Sequence, residues 1–147
     1  MWKDYIKKAI NSDMSPAISS LKFPFVLKPD QVAAVDSWIK NGYRGSIIYS
    51  TGTGKTEIAY ESARRACIEV MRNAQIKKDT TSSFNILFLV PRIVLIEQNV
   101  NRLLRYNISK EYVGTYYGER KDQKEITIST YQSAINNFPL IENAKLV

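Results

Sequence analysis

Apolar positions along this chain change period several times, and each change marks an element. Trp2, Tyr5, Ile6, Ala9 and Ile10 recur at helical spacing and predict a short amphipathic helix. Residues 11–28 carry Pro16, Pro24 and several serines, which predict an irregular connection. Asp30 is placed to cap a helix carrying Val32, Val35, Trp38 and Ile39, and Asn41-Gly42 is placed to end it. Ser46 to Tyr49 reads as a short strand, and Glu57 to about Arg72 as the next helix. Asn73 to Ser83 is polar and reads as a surface loop. Asn85 to Val90 is a continuous apolar run closed by Pro91, the pattern of a strand buried on both faces. Ile93, Ile96, Val100, Leu103 and Leu104 return to helical spacing. Further strands are expected at Tyr112 to Tyr116 and Glu125 to Ser129, with a short helix starting near Tyr131. Strands alternating with helices predict an α/β fold around a mainly parallel sheet.

One junction in this pattern carries chemistry. The expected strand at 46–49 runs into Ser50-Thr51-Gly52-Thr53-Gly54-Lys55-Thr56, and a helical pattern follows at once. A glycine turn between a strand and a helix start is the layout of a phosphate-binding loop. Gly52 and Gly54 have no Cβ, so backbone N–H groups can approach an anion closely. Those donors and the positive end of the helix form a concave anion site. Thr51, Gly52, Thr53 and Gly54 are therefore candidates to cradle phosphates. Lys55 is the candidate for the β- and γ-phosphate oxygens, and Thr56 for a Mg2+ ligand. The general loop pattern has glycine where this chain has Tyr49. A plain glycine-rich turn with an exposed lysine is the bland alternative.

Composition narrows the classes. The chain has 147 residues, 44% hydrophobic and 24% charged, the profile of one globular domain. No apolar run is long enough to span a bilayer, and the first residues lack a signal-peptide core, so no membrane partner is expected. With no histidine, His-based triads and His-Cys zinc sites are excluded. The single cysteine, Cys67, lies in an apolar helical pattern and reads as a small buried hydrophobe in a reducing, intracellular compartment. A net charge of +7 suits a polyanionic partner without proving one.

The loop Thr51-Gly52-Thr53-Gly54-Lys55-Thr56 resembles motif I of the superfamily 2 helicases and translocases, with Ser50 in place of the usual Ala or Pro. Three further segments resemble that family in the same order. Leu27-Lys28-Pro29-Asp30-Gln31 is similar to the element upstream of motif I, with Lys28 for arginine and Asp30 for an aromatic residue. The resemblance implies that Gln31 reads adenine, a task suited to an amide because it donates and accepts together. Phe88 to Gln98, containing Pro91-Arg92, resembles motif Ia, and Glu125 to Ala134, containing Ser129-Thr130-Tyr131-Gln132-Ser133, resembles motif Ic. The second of these has the form seen in XPB-like helicases and restriction-enzyme motor subunits. The segment around Gly118 resembles one in which glycine approaches the tracking strand.

The resemblance covers Leu27 to the end and implies an N-terminal connection at 1–26 followed by part of a first RecA-like motor domain at 27–147. It implies ATP and Mg2+ as cofactors, with Lys55 and Thr56 at the catalytic centre. It implies a nucleic-acid track of Pro91, Arg92, Gly118, Ser129 and Thr130, with DNA preferred to RNA. The family's Asp-Glu motif would follow a strand beginning near Lys145-Leu146-Val147, and the chain is read as stopping short of it. The parent activity implied is ATP hydrolysis coupled to movement on nucleic acid, completed by a second RecA-like domain. This chain alone is expected to show little or no turnover. Two other readings stay open at this point: another P-loop enzyme such as a kinase, and a non-catalytic binding module that keeps the fold.

Overall fold

The computed structural model describes residues 16–48, 54–76 and 84–147. The helix expected at 2–10, Tyr49, and the part of the polar loop at 77–83 lie outside them. The elements run as α1 (Pro29–Lys40), α2 (Lys55–Ile76), β1 (Ile86–Val90), α3 (Ile93–Arg105), β2 (Val113–Tyr117), β3 (Arg120–Lys121), β4 (Ile126–Thr130), α4 (Tyr131–Ile135) and α5 (Phe138–Glu142). The sheet order is β1-β4-β2-β3. Both β1 and β2 pair parallel to β4, in register Leu89↔Ser129 and Tyr116↔Ser129, while β3 folds back antiparallel on β2.

Alternation along β1 divides the core into two layers. Ile86 and Phe88 face α2 and α3, where Tyr60, Ala63, Cys67, Ile96, Val100 and Leu103 meet Ile126 and Ile128 of β4. Leu87 faces the other way, against Tyr116, Ala134 and Leu140 under α4 and α5. Helices on both faces are what a parallel sheet needs, because its crossover connections must run over it. Burying a side chain such as Ile96 or Leu103 stabilises by about 1.5–3 kcal/mol. Burial also pushes the Cys67 thiol up to about 12, the behaviour of a packing residue rather than a nucleophile.

The irregular connection before α1 is more ordered than its prolines suggest. Ala17–Ser20 forms a 3-10 turn, and Ala17, Ile18 and Leu21 join the main core. The Ala17 N–H donates to Glu125 Oε1 at 2.6 Å, and the Lys22 N–H donates to the Tyr106 carbonyl at 2.9 Å. This strap closes the layer beneath α2, so the packed unit reaches to the N-terminal side of residue 27.

Several expectations are corrected. Residues 46–48 form no strand: Ile47 and Ile48 are 39% and 97% exposed. A strand needs a paired neighbour, and among the described residues the edge of β1 on that side pairs only with Leu146, through a bridge to Ile86. Between 45–47 and β1 lies a groove of about 430 Å³ lined by Trp38, Ala59, Ala63, Leu87 and Leu89. Asp30 is not the cap of α1. Pro29 opens the helix, Lys28 is the N-cap, and Asp30 sits in the first turn with Oδ1 accepting from the Gln31 N–H. Helix α2 runs on to Ile76 rather than ending near Arg72. The sequence pattern foretold neither the β2–β3 hairpin nor α5. Asn41-Gly42 does end α1, with Gly42 at φ +73. Among the described residues no helix is long and apolar enough to cross a membrane.

The hairpin rests on close backbone approach. A Cβ at Gly114 would stand 2.3 Å from the Asp122 carbonyl oxygen and 2.9 Å from the Lys124 nitrogen, both backbone atoms that cannot step aside. Gly114→Ala is expected to destabilise by about 1–3 kcal/mol in denaturant unfolding. At Gly118, with open space around it, alanine meets only the left-handed backbone at φ +52, worth about 1–2 kcal/mol. A Gly114→Ala protein as stable as wild type would refute this packing of β2 against 122–124.

Candidate nucleotide cleft and sheet-edge surface

The first turns of α1 and α2 meet at one point, and an amide holds them there. The Lys28 backbone N–H donates to Gln31 Oε1 at 2.8 Å, which fixes the side chain across the helix start. Gln31 Nε2 then donates to the Gly54 carbonyl at 3.3 Å, across a separation of 23 residues. That carbonyl also accepts from the Ile58 N–H at 3.2 Å, the first hydrogen bond of α2. Gln31 is 4% exposed, so its amide is already structural, with one N–H and one lone pair left over after its bonds among the described residues. Helix α1 is further tied to α2 by Arg65 and Asp36 at 2.6 Å, a partly exposed pair worth at most about 1 kcal/mol.

Beside this junction opens a cleft of about 680 Å³. Gly54, Lys55 and Thr56 line it from the start of α2, and Gln31 and Lys28 from the start of α1. Thr51, Gly52 and Thr53 lie outside the described residues. Gly54 has φ +102, a conformation that favours glycine. Lys55 is exposed and Thr56 half-buried, so both can meet a ligand in the cleft.

Sequence reasoning missed much of the remaining wall. Phe25 contributes a half-exposed ring that stacks on Phe23, with centroids 5.4 Å apart, and meets Tyr106 edge-on at 5.9 Å. Asn99, Arg102 and Tyr106 come from α3 and its C-cap. Glu57, the residue after Thr56, accepts from the Tyr106 hydroxyl at 2.7 Å and lies 3.5 Å from Arg102 Nη1. Burial, then the hydrogen bond to Glu57, pushes the Tyr106 phenol up to about 12, so it remains a donor at neutral pH. Tyr60, whose phenol burial pushes up, donates to Asn99 Oδ1 and packs edge-on against Phe88 and Tyr106. Glu57 adjoins the loop and could have been flagged from sequence; Arg102 and Tyr106 gave no signal, because only the packing of α3 brings them here.

The second group of expected residues collects at the carboxyl edge of the sheet. Val90 and Thr130 end β1 and β4 in matching register, and Gly118 follows the end of β2. Pro91, Arg92 and Gly118 are exposed. The Thr130 hydroxyl accepts from the Ser133 N–H at 3.2 Å and so caps α4. Ser129 is fully buried, with its hydroxyl donating to the Thr130 carbonyl at 2.9 Å. Its side chain therefore faces the interior, and only its neighbours reach the edge. The β2–β3 hairpin adds Arg120 and Lys121 to the same surface, with the Lys121 ammonium 4.7 Å from the centre of the Tyr116 ring.

Comparison with known proteins places the chain among its relatives. Residues 24–146 match the model of the family described as type III restriction enzyme, res subunit. A relative named DNA 3'-5' translocase XPB2, from Sulfurisphaera tokodaii, is 31% identical over 152 positions, covering 95% of this chain and 30% of that protein. A relative named DNA 3'-5' helicase XPB, from Kineococcus radiotolerans, is 31% identical over 117 positions, covering 79% of this chain and 18% of that protein. The chain thus spans less than a third of the length of either relative.

The Gln31–Gly54 junction has a direct test. A Cβ at Gly54 would fall 2.1 Å from Gln31 Nε2, so alanine there must expel the amide as well as bear the positive φ. Gly54→Ala is expected to lower stability by about 1–3 kcal/mol, read by thermal unfolding. Adding Gln31→Ala removes the clashing partner and should recover part of that loss. A double variant whose losses simply add would show that the two residues do not touch.

Proposed function

Because this chain belongs to the type III restriction enzyme res-subunit family, and so to the superfamily 2 helicase motors, we propose that it binds ATP in the α1–α2 cleft as part of a motor that moves on DNA. The observation that carries this reading is the opening of Gly54, Lys55 and Thr56 into the same cleft as Gln31. The family match sets aside the reading as an unrelated P-loop enzyme such as a kinase.

The residues present fit a nucleoside triphosphate. Lys55 supplies a mobile ammonium for the β- and γ-phosphate oxygens. Thr56 supplies a hydroxyl of the kind that ligates Mg2+, which would offset phosphate charge when bound. Gln31 offers its remaining N–H and lone pair to the base edge, and Phe25 offers an apolar face on which a base can lie. Thr51, Gly52 and Thr53 complete the phosphate cradle in this reading.

At the carboxyl edge, Pro91, Arg92, Gly118, Thr130 and the backbone at Ser129 form the proposed strand track, extended by Arg120 and Lys121. Ligands of open α/β sheets collect at this edge because the loops leaving parallel strands converge there. Contacts from Arg and from backbone N–H groups meet phosphates and carry little sequence information. DNA as the partner and 3'-5' movement enter this reading from the relatives' names, and an intracellular setting and a second RecA-like domain that completes the motor belong to the same proposal.

Binding of Mg-ATP measured by calorimetry tests the cleft. Lys55→Ala is expected to weaken it by roughly tenfold or more, since a hydrogen bond to a charged group contributes about 1.5–3 kcal/mol. Equal affinity in the two proteins would sink the assignment.

Single-stranded DNA binding tests the edge. Arg92→Ala is expected to weaken binding to all sequences alike and to make the log–log salt slope shallower by about 0.7, the value for one phosphate contact. Lys110→Ala serves as the charge-matched control, because Lys110 is exposed just before β2, at the opposite edge of the sheet. Equal effects from the two substitutions would mean that net charge alone binds DNA.

A further inference from the structure

Resting on the reading of the cleft as a triphosphate site, we propose that Arg102 is a positioning residue whose task is to neutralise Glu57, so that the cleft tolerates phosphate charge. The observation behind it is a carboxylate where a polyanion is to bind. Glu57 stands in the first turn of α2, directly after Lys55 and Thr56, and lines the cleft with them. Its side chain is only 12% exposed, so water screens it poorly. Its Oε2 lies 3.8 Å from the point a Gly54 Cβ would occupy, at the mouth of the loop.

An acidic residue in a helix's first turn stabilises that helix through the macrodipole. The same charge repels any anion drawn to the same helix end, and two like charges a few ångströms apart inside a protein oppose each other strongly. The structure supplies a remedy from α3. Arg102 Nη1 sits 3.5 Å from Glu57 Oε1, and the Tyr106 hydroxyl donates to the same oxygen at 2.7 Å. Together they hold the carboxylate toward α3 and cancel its charge. Lys55 is thereby left for the ligand instead of pairing with Glu57.

The experiment compares ATP, ADP, AMP and adenosine binding to wild type, Arg102→Ala, Glu57→Gln and the double variant. Arg102→Ala is expected to weaken ATP binding about tenfold, with the loss shrinking as phosphates are removed and vanishing for adenosine. A defect in folding alone would weaken all four ligands equally and would overturn the proposal. Glu57→Gln is expected to bind ATP at least as tightly as wild type. In the double variant the loss should be restored to within a few-fold of wild type, because no carboxylate remains to be cancelled. A double variant as weak as Arg102→Ala would show that Arg102 does not act through Glu57, and the proposal fails. Should Arg102→Ala not fold, Glu57→Gln still decides: weaker ATP binding by that variant overturns the charge-balance role. Lys55→Ala run alongside keeps the two ideas separate, since unchanged binding there would fail the cleft reading itself, whatever Arg102 does.

Discussion

Parallel pairing of β1 with β4 is the constraint on which the rest of this structure depends. Because the two strands run the same way, their exits at Val90-Pro91 and Thr130-Tyr131 leave from one edge. Parallel strands cannot be joined by a tight turn, so the chain between them must cross a face of the sheet. Helix α3 makes that crossing, and its buried residues Ile96, Val100 and Leu103 seat it against Ile126 and Ile128. Once α3 is seated, its exposed flank has no choice but to form a wall of the cleft, which is how Asn99 and Arg102 come to face Lys55.

The cleft joins the first turns of α1 and α2 to the flank of α3. Helix N-termini leave backbone donors without partners, and a side chain meets that need at α1. At α1 the Gln31 side chain satisfies the Lys28 N–H while reaching across to Gly54. One amide thereby sets the entry of α1 and ties it to Gly54 at the start of α2. Glu57 lines the same cleft, and its carboxylate is met there by Arg102 and Tyr106.

Aromatic contacts link this polar layer to the core. Tyr60 touches Phe88 below and Tyr106 beside it, while Tyr106 touches Phe23 at 4.8 Å between ring centres. The strap before α1 is held through the same cluster, by the hydrogen bond from Lys22 to the Tyr106 carbonyl. Displacement of α3 would therefore be felt both at the cleft wall and at the strap.

Local signals in the sequence determined the order and type of most described elements. The apolar run Ile86–Val90 has the pattern of a doubly buried strand, and Ile96, Val100 and Leu103 recur with the period of a helix; burial enforces both patterns residue by residue. Lys55, Thr56, Gln31, Pro91 and Arg92 could be singled out because each stands at a fixed spacing from a turn or a strand end. What the sequence left open was decided by contacts between distant segments. Ile47 and Ile48 carry strand character yet pair with no strand among the described residues, because pairing depends on a neighbour and not on propensity. Ser129 sits within a matching motif yet faces inward, because strand alternation set by the sheet turns it there. Phe25, Arg102 and Tyr106 reach the cleft only through the docking of the strap and α3, an outcome of core packing that no local pattern encodes.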